Sequence, residues 1–395
     1  MKICIITGTF RPGASGPSTY LYNLCNILVK KGHKVGIITY GKLKEDLAPL
    51  KTGKEKHIYS FPVKRISRNY PLPLRLFIFF YNIILIGRHY DLLYVNDYGL
   101  PAVFANFFLH KPMVMKIVGD FAWEYSIRRG LVKSNQDIDE FQRKKFGSRI
   151  CFFKRLQRFY VSRAKKIITP SKYLKSIING WRIPKEKIEV IYNAVDAQKY
   201  SLKYFKEKVR KHLNLDPKAK IILTVARLAS WKGVDKVICI LPDIVKKLPQ
   251  VRYIVIGEGD KSNLEELVKN YKLKNKVIFV GQVGYSDMPL WFKSADVLVL
   301  YSGYEGFSHV ILEAMATGLP IIASKKGGNS EAIDNGSDGL LIPIGKEEEL
   351  KKAIIKVLTN QEFAQRLIKG GEEKVKKFNW DNLLKQTLKV FKSAL

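Results

Sequence analysis

The chain has 395 residues, 46% hydrophobic and 26% charged. That describes a globular protein with core enough for two or three domains, and it excludes a disordered chain. With 69 Lys and Arg against 35 Asp and Glu, the net charge is +34. The excess is uneven: residues 1–195 hold 35 basic and 12 acidic groups, the remainder 34 and 23. Such a field draws in polyanions, whether nucleic acid, an anionic membrane surface or a phosphorylated substrate. The bland alternative is a lysine-rich, solvated surface. Cys4, Cys25, Cys151 and Cys239 show no paired spacing, so neither a disulfide framework nor a zinc site is expected, and the compartment reads as reducing.

In chain order, Lys2–Thr7 reads as a β-branched first strand rather than a signal peptide. A Gly/Pro-rich loop runs from Gly8 to Gly16. An apolar helical pattern follows (Tyr20, Leu21, Leu24, Leu28) and stops at Lys31-Gly32, with glycine as the terminator. Lys34–Tyr40 is a second strand, so the segment is a βαβ unit of a parallel sheet. Further strands are expected at Leu92–Val95, Val114–Val118, Ile167–Thr169 and Ile188–Ile191.

Between them, Leu76–Ile86 is an apolar run, broken only by Asn82 and flanked by Arg75, Arg88 and His89. It is too short to span a bilayer, which takes about 20 residues. It reads either as a core helix or as one that dips into a membrane interface. Arg149–Lys166 interleaves Arg and Lys with Phe and Tyr. That pattern suits an anionic lipid surface and equally suits RNA.

After Tyr192–Asp196 comes a charged, poorly patterned stretch, and the domain boundary is placed there. A second α/β half follows, with strands at Ile221–Val225, Arg252–Ile256, Val277–Val280, Val297–Leu300 and Pro320–Ala323. Trp380–Leu395 is an amphipathic helix (Leu383, Leu384, Leu388, Phe391).

The chemistry concentrates in the second half. Arg227-Leu228 and Lys232-Gly233 follow its first strand. Gly257-Glu258-Gly259 and Gly281-Gln282-Val283 come next, and Ser302 precedes the stretch Glu305-Gly306-Phe307-Ser308-His309-Val310-Ile311-Leu312-Glu313. Then come Ala316–Pro320, Gly327-Gly328, Glu331 and Asp338–Leu341. This ordered series resembles the retaining nucleotide-sugar glycosyltransferases of the GT-B fold, family 4 (group 1). It covers nearly the whole chain and is strongest over 221–345.

The resemblance implies an α/β protein of two Rossmann-like domains facing a cleft. Residues 1–195 would bind the acceptor and 196–375 the nucleotide sugar, with helix 376–395 packing back on the first domain. Arg227 and Lys232, just past a strand end, would hold the diphosphate and its growing charge. Glu305 would orient hydroxyls of the transferred sugar and Glu313 would take the ribose diol. Backbone at Gly306, Phe307, Ser308, His309 and Val310 would offer a helix N-terminus to the phosphates. Backbone near Val283 would meet the base. Gly16 stands where the family usually has two adjacent glycines, so that backbone could approach the diphosphate or the acceptor. The family's histidine near the sugar is missing, and Asp120 is the candidate in its place, with Glu124 second; the alternative for Asp120 is a strand-end Asp that caps the next helix.

The implied reaction moves a hexose-type sugar from a UDP- or GDP-linked donor to an acceptor hydroxyl with retention. No cofactor is expected and a metal should be dispensable. The basic first domain favours a lipid-linked or cell-surface glycan acceptor, at a peripheral cytoplasmic membrane site and without nucleic acid. A nucleotide-sugar epimerase of the same architecture and a non-catalytic basic nucleic-acid-binding protein are the rival readings.

Overall fold

Each half of the chain opens with a β-branched run, Lys2–Thr7 (β1) and Lys220–Val225 (β10). Apolar side chains from both faces of such a run must be covered, which requires helices above and below the sheet. The structure, a computed structural model, describes residues 1–10, 16–42, 47–49, 55–57, 59–97, 99–201 and 204–395. Most of the Gly/Pro-rich loop expected before Gly16 lies outside the described residues.

In the first half the strands are β1, β2 (Lys34–Tyr40), β3 (Leu47–Pro49), β4 (Glu55–His57), β5 (Val63–Ile66), β6 (Leu92–Asn96), β7 (Met113–Lys116), β8 (Lys166–Thr169) and β9 (Ile188–Val190). Its helices are α1 (Gly16–Lys30), α2 (Leu72–Gly87), α3 (Gly99–Leu109), α4 (Phe121–Arg128), α5 (Ile138–Arg143), α6 (Ser148–Ser162) and α7 (Lys172–Gly180).

The second half has β10, β11 (Val251–Ile256), β12 (Val277–Gly281), β13 (Val297–Leu300), β14 (Ile321–Ser324) and β15 (Leu340–Ile342). Its helices are α8 (Ala197–Tyr200), α9 (Lys206–His212), α10 (Val234–Lys247), α11 (Ser262–Asn270), α12 (Met288–Ser294), α13 (His309–Thr317), α14 (Asn329–Ala332), α15 (Glu347–Thr359), α16 (Gln361–Val375) and α17 (Trp380–Ala394).

Among the described residues, a seven-stranded sheet runs β5-β2-β1-β6-β7-β8-β9 and a six-stranded sheet runs β12-β11-β10-β13-β14-β15. All pairs within both sheets are parallel. The order reverses at β1/β6 and at β10/β13. Open α/β sheets bind ligands outside the strand ends at such switch points. The protein therefore has two Rossmann-like halves, each with a ligand crevice.

Alternation along the strands sorts the core. Cys4, Ile6, Ile38, Leu93 and Val95 point to the side covered by α2, α3 and α6. Ile3, Ile5, Ile37, Leu92 and Tyr94 point to the side covered by α1 and α17. Helix α17 comes last in sequence yet packs on the first sheet, with Phe391 edge-on to Tyr94 at 5.0 Å and Trp380 stacked on Tyr20 at 5.9 Å. Asn379 starts it by accepting from Asn382 N at 2.9 Å.

The halves touch closely. Glu331 of α14 accepts from Lys172 N (2.8 Å), Tyr173 N (2.7 Å) and the Tyr192 hydroxyl (2.9 Å). Lys326 pairs with Asp137 at 2.7 Å and Asp139 at 2.6 Å.

Helix α2 is only half a core helix. It buries Phe79, Ile83 and Gly87 and leaves Leu72, Leu74, Phe77, Tyr81 and Leu85 exposed. No helix among the described residues is long and apolar enough to cross a membrane.

Candidate active site

The two switch points face one cavity of about 710 Å³. From the first sheet its wall carries Thr7, Asn96 and Asp97, which end β1 and β6. From the second it carries Val225, Ala226 and Arg227, which end β10. Helices α1 and α13 both begin at this cavity, presenting Gly16 and His309. Neither has an acidic residue in its first turn, and no side chain caps α13. Two helix starts turned toward one space, that of α13 without a side-chain cap, make it attractive to an anion.

Of the residues singled out in the sequence, Gly16, Arg227, Val283, His309, Val310 and Glu313 line the cavity. Arg227 is largely exposed, with Nη2 3.5 Å from Glu124 Oε2, so its guanidinium is held loosely and can turn to a phosphate. Glu313 is pushed up to about 7 by burial, against the pull of the Tyr200 hydroxyl and the Lys199 ammonium. A carboxylate so poised gains from hydroxyl donors, and the flanking Val283 and Tyr285 complete that side. His309 is driven down to about 3, chiefly by burial and then by Lys116, against the pull of a bond to the Ala194 backbone. Its ring is neutral at physiological pH and supplies shape, not charge. Across the cleft it faces Gly16, whose hypothetical Cβ would lie 3.4 Å from His309 Cδ2.

Glu305, Lys232, Gly306, Phe307 and Ser308 do not line the open cavity. The reason is closure of the halves on each other. A Cβ on Gly306 would sit 2.5 Å from the Val118 carbonyl oxygen, so the loop after β13 is pressed against the first domain. Behind that contact Lys232 and Glu305 pair at 2.6 Å. Gly233 makes this possible. It takes φ +69°, and a side chain there would strike the Tyr301 carbonyl. Phe307 is core, packed 5.0 Å from the Tyr192 ring, and its carbonyl accepts from Asn193 Nδ2 at 2.9 Å. Ser308 is buried at the N-cap of α13.

Asp120 requires a correction. It was expected at the face of the sugar, but it is 1% exposed and absent from the cavity wall. Oδ1 accepts from Trp123 N at 3.0 Å, capping α4, and Oδ2 accepts from Gln142 Nε2 at 2.7 Å. Capping consumes the carboxylate. The acids on that wall are Glu124, one turn further along α4, and Asp97.

Sequence reasoning missed Asn96 and Asp97 on the cavity wall, and the buried Lys116 paired beside Asn96. The signal was present, because Asn96-Asp97 follow a strand just as Arg227 does. Asp97 is exposed, and what it opens onto is the cavity. Partial loss of bulk water inside the cleft, with repulsion from Glu124, pushes its carboxyl up to about 7, although the Val118 amide, Lys116 and Arg227 pull the other way. Burial brings Lys116 down to about 7, opposed by Asp97. Among the described residues no cluster of His, Cys, Asp or Glu could hold a metal ion.

A cleft between two Rossmann-like domains, with a cation and an acid on one wall and helix starts on both, defines the GT-B class of sugar transferases. The chain belongs to the group 1 glycosyltransferases. The model of Glycosyltransferase Family 4 matches residues 14–199, and that of glycosyl transferases group 1 matches 205–374. An uncharacterised glycosyltransferase of Methanocaldococcus jannaschii is 27% identical, covering 100% of this chain and 99% of its own. One component of the human phosphatidylinositol N-acetylglucosaminyltransferase is 26% identical over 99% of this chain and 75% of its own. Among solved structures, Anabaena HepE in complex with UDP and glucose superposes with a TM-score of 0.80 at 20% identity, over 100% of both chains.

Proposed function

We propose that the enzyme transfers a hexose-type sugar from a nucleoside diphosphate to a hydroxyl of a lipid-linked or cell-surface glycan, with retention. The observation that carries this reading is the division of labour on the second domain's wall. Arg227 and the α13 start offer positive potential, and Glu313 offers a diol acceptor beside them. A nucleoside diphosphate needs both at that separation of function, which a nucleic-acid backbone does not. Complexes of HepE with UDP and with UDP-glucose support the same donor class.

In the proposed route the acceptor oxygen attacks the anomeric carbon on the face the phosphate leaves. The bond from that carbon to the β-phosphate oxygen breaks, and the acceptor's proton passes to that oxygen. Charge grows on the departing diphosphate, so Arg227, Lys232 and the helix start stabilise the transition state more than the ground state. No protein nucleophile is used and no metal is called for.

Thermal-shift and calorimetric screening with UDP, GDP and ADP sugars tests the donor. One of them should bind, and its diphosphate should be released when acceptor lipid or glycan extracts are added. Free donor epimerised without transfer would favour the epimerase instead. Salt-sensitive RNA binding with no nucleotide-sugar binding would favour the nucleic-acid reading.

A membrane-face acceptor is supported by the first domain's surface. Exposed Phe77 and Tyr81 of α2 stack at 6.5 Å, and α3 adds exposed Phe104, Phe107 and Phe108. Arg163 lies 5.5 Å over Phe107. Aromatic rings with interleaved arginines suit an anionic interface. Flotation with anionic liposomes at low salt checks it, and failure to float would remove the membrane from the proposal.

A further inference from the structure

Three strand ends meet in register at the first switch point: Thr7 of β1 pairs with Asn96 of β6, and Asn96 with Lys116 of β7. All three are polar or charged and almost fully buried. Two have partners. Thr7 donates its hydroxyl proton to the Thr9 carbonyl at 3.0 Å. Lys116 Nζ sits 3.3 Å from the centre of the Tyr20 ring and donates to Asn193 Oδ1 at 3.3 Å. Asn96 is different. It is 1% exposed, it lines the cavity, and neither Oδ1 nor Nδ2 has a hydrogen-bond partner. A buried amide left bare costs about 1–3 kcal/mol per group, so such a side chain calls for a ligand.

The next residue adds a second mark. Asp97 has φ +62°, a left-handed backbone at a residue that is not glycine. Asp tolerates that conformation better than most residues, but still at some cost, and such strain gathers at functional sites. The turn directs the Asp97 carboxylate into the same cavity, facing Arg227 across the cleft.

We infer that Asn96 and Asp97 form the subsite that grips a neutral, hydroxyl-rich acceptor. The inference rests on the glycosyl-transfer reading above. An amide both donates and accepts, and a carboxylate accepts, which together match adjacent hydroxyls. The pair lies on the first domain's wall, whereas the diphosphate and ribose are provided for on the second. Asp97 and Glu124 stand on the same wall, and Glu124 already holds Arg128 at 2.7 Å. Two acids there repel a phosphate, so the part of the acceptor that meets this wall is uncharged, whatever anion or lipid it carries elsewhere. A site built to hydrogen-bond hydroxyls discriminates strongly, because a substrate lacking them leaves buried polar groups bare.

The test uses the full chain loaded with whichever of UDP, GDP or ADP binds. The acceptor probe is n-octyl β-D-glucopyranoside below its micelle concentration, followed by saturation-transfer NMR, with glucose 6-phosphate as the charged counterpart. The variants are Asn96→Ala and Asp97→Asn, the latter keeping a residue that accepts a left-handed backbone. Each should bind the nucleoside diphosphate and its sugar within twofold of wild type while binding the glucoside at least tenfold more weakly. Wild type should bind glucose 6-phosphate at least tenfold more weakly than the glucoside. Unchanged glucoside binding in both variants overturns the inference, as does a wild type that takes the diphosphate but not the glucoside. Selective loss of the nucleotide sugar over the bare diphosphate would also overturn it, assigning the pair to the transferred sugar. A wild type that binds no nucleoside diphosphate sinks the glycosyl-transfer reading itself, and this inference with it.

Discussion

Lys232 Nζ lies 2.6 Å from Glu305 Oε1, joining the turn after β10 to the loop after β13, with 14% and 12% of the two side chains exposed. These are the two strands that flank the second switch point. The carboxylate keeps the ammonium aimed while no donor is present. Beyond this pairing, Lys232 still has protons to give a phosphate, and Glu305 a second oxygen for a sugar hydroxyl. Lys232→Ala and Glu305→Ala should each lower kcat about 10²–10³-fold, the scale of lost transition-state stabilisers. Each also strands a shielded charge, at a stability cost of about 1–3 kcal/mol. The double variant should therefore melt no lower than the worse single variant. Diphosphate release and thermal melting read the two effects separately, and near-normal turnover in either single variant would remove the pair from catalysis.

Glu313 gives a pH signature. Burial holds its carboxyl up at about 7, above the ordinary carboxylate range. A folded value raised in this way contributes stability that is complete below the ordinary value and is lost as pH rises through 7. A ribose diol donates hydrogen bonds to the ionised form, so donor binding runs in the opposite sense and strengthens with pH. The affinity for the bound nucleoside diphosphate should be about tenfold weaker at pH 6 than at pH 8, with a proton released on binding. Asp97 and Lys116 titrate nearby, so Glu313→Gln is the control, and its affinity should be lower and nearly flat over that range. A flat wild-type titration would place the ribose elsewhere.

Much of this architecture was legible in the sequence. Strands such as Val297–Leu300 are short apolar runs between turn signals, and those patterns are local. What the sequence reading missed was decided by tertiary context. Val63–Ile66 carries Lys64 and Arg65, and pairing with β2 rather than its own hydrophobicity makes it a strand. The site divided in the same way. Arg227 and Glu313 line the cavity, where their places in an ordered motif series put them. Asp120 was misplaced because an acid before a helix looks the same whether it caps that helix or faces a ligand. Only the Trp123 amide and the Gln142 side chain distinguish the two.

Glu331 was noticed only as part of the motif series, yet it bridges the halves. Its carboxylate accepts two amides at the start of α7, at 2.8 and 2.7 Å, and the Tyr192 hydroxyl at 2.9 Å. Hydrogen bonds to a charged group contribute about 1.5–3 kcal/mol each at most, and together they hold the closed arrangement. Glu331→Ala should enlarge the radius of gyration of the free enzyme in solution scattering. Addition of the nucleotide sugar should bring it back toward the wild-type value. Donor affinity should fall several-fold, because part of the binding energy is diverted to closing the cleft. A variant with unaltered scattering and affinity would show that the bridge does not govern closure.

The aromatic surface of the first domain yields the last prediction. From Phe121, which lines the cavity and is exposed, rings continue to Phe153 at 6.3 Å and from there to Phe152 at 5.4 Å on α6. Further along α6, Phe159 meets Phe104 of α3 at 6.2 Å, and Phe80 of α2 meets Phe108 at 5.9 Å. Arg149, Arg155, Arg158 and Arg163 are exposed along α6 and its end. An interface that buries these rings brings the cavity lip to the lipid headgroups, where a lipid-linked acceptor would present its sugar. Each arginine near an anionic surface is worth about 1 kcal/mol, and each buried ring adds an apolar contribution that salt does not screen. The triple variant Phe77→Ser, Phe107→Ser, Phe108→Ser should lose most flotation with phosphatidylglycerol vesicles at any salt concentration. Arg155→Gln with Arg158→Gln should weaken flotation by about 2 kcal/mol at low salt and scarcely at all at 0.5 M, where charges are screened within about 4–5 Å. Donor affinity should be unchanged in both sets, since these residues lie outside the nucleotide wall. Equal flotation by wild type and the triple variant would detach the aromatic strip from the membrane and leave the basic charge alone to account for any binding.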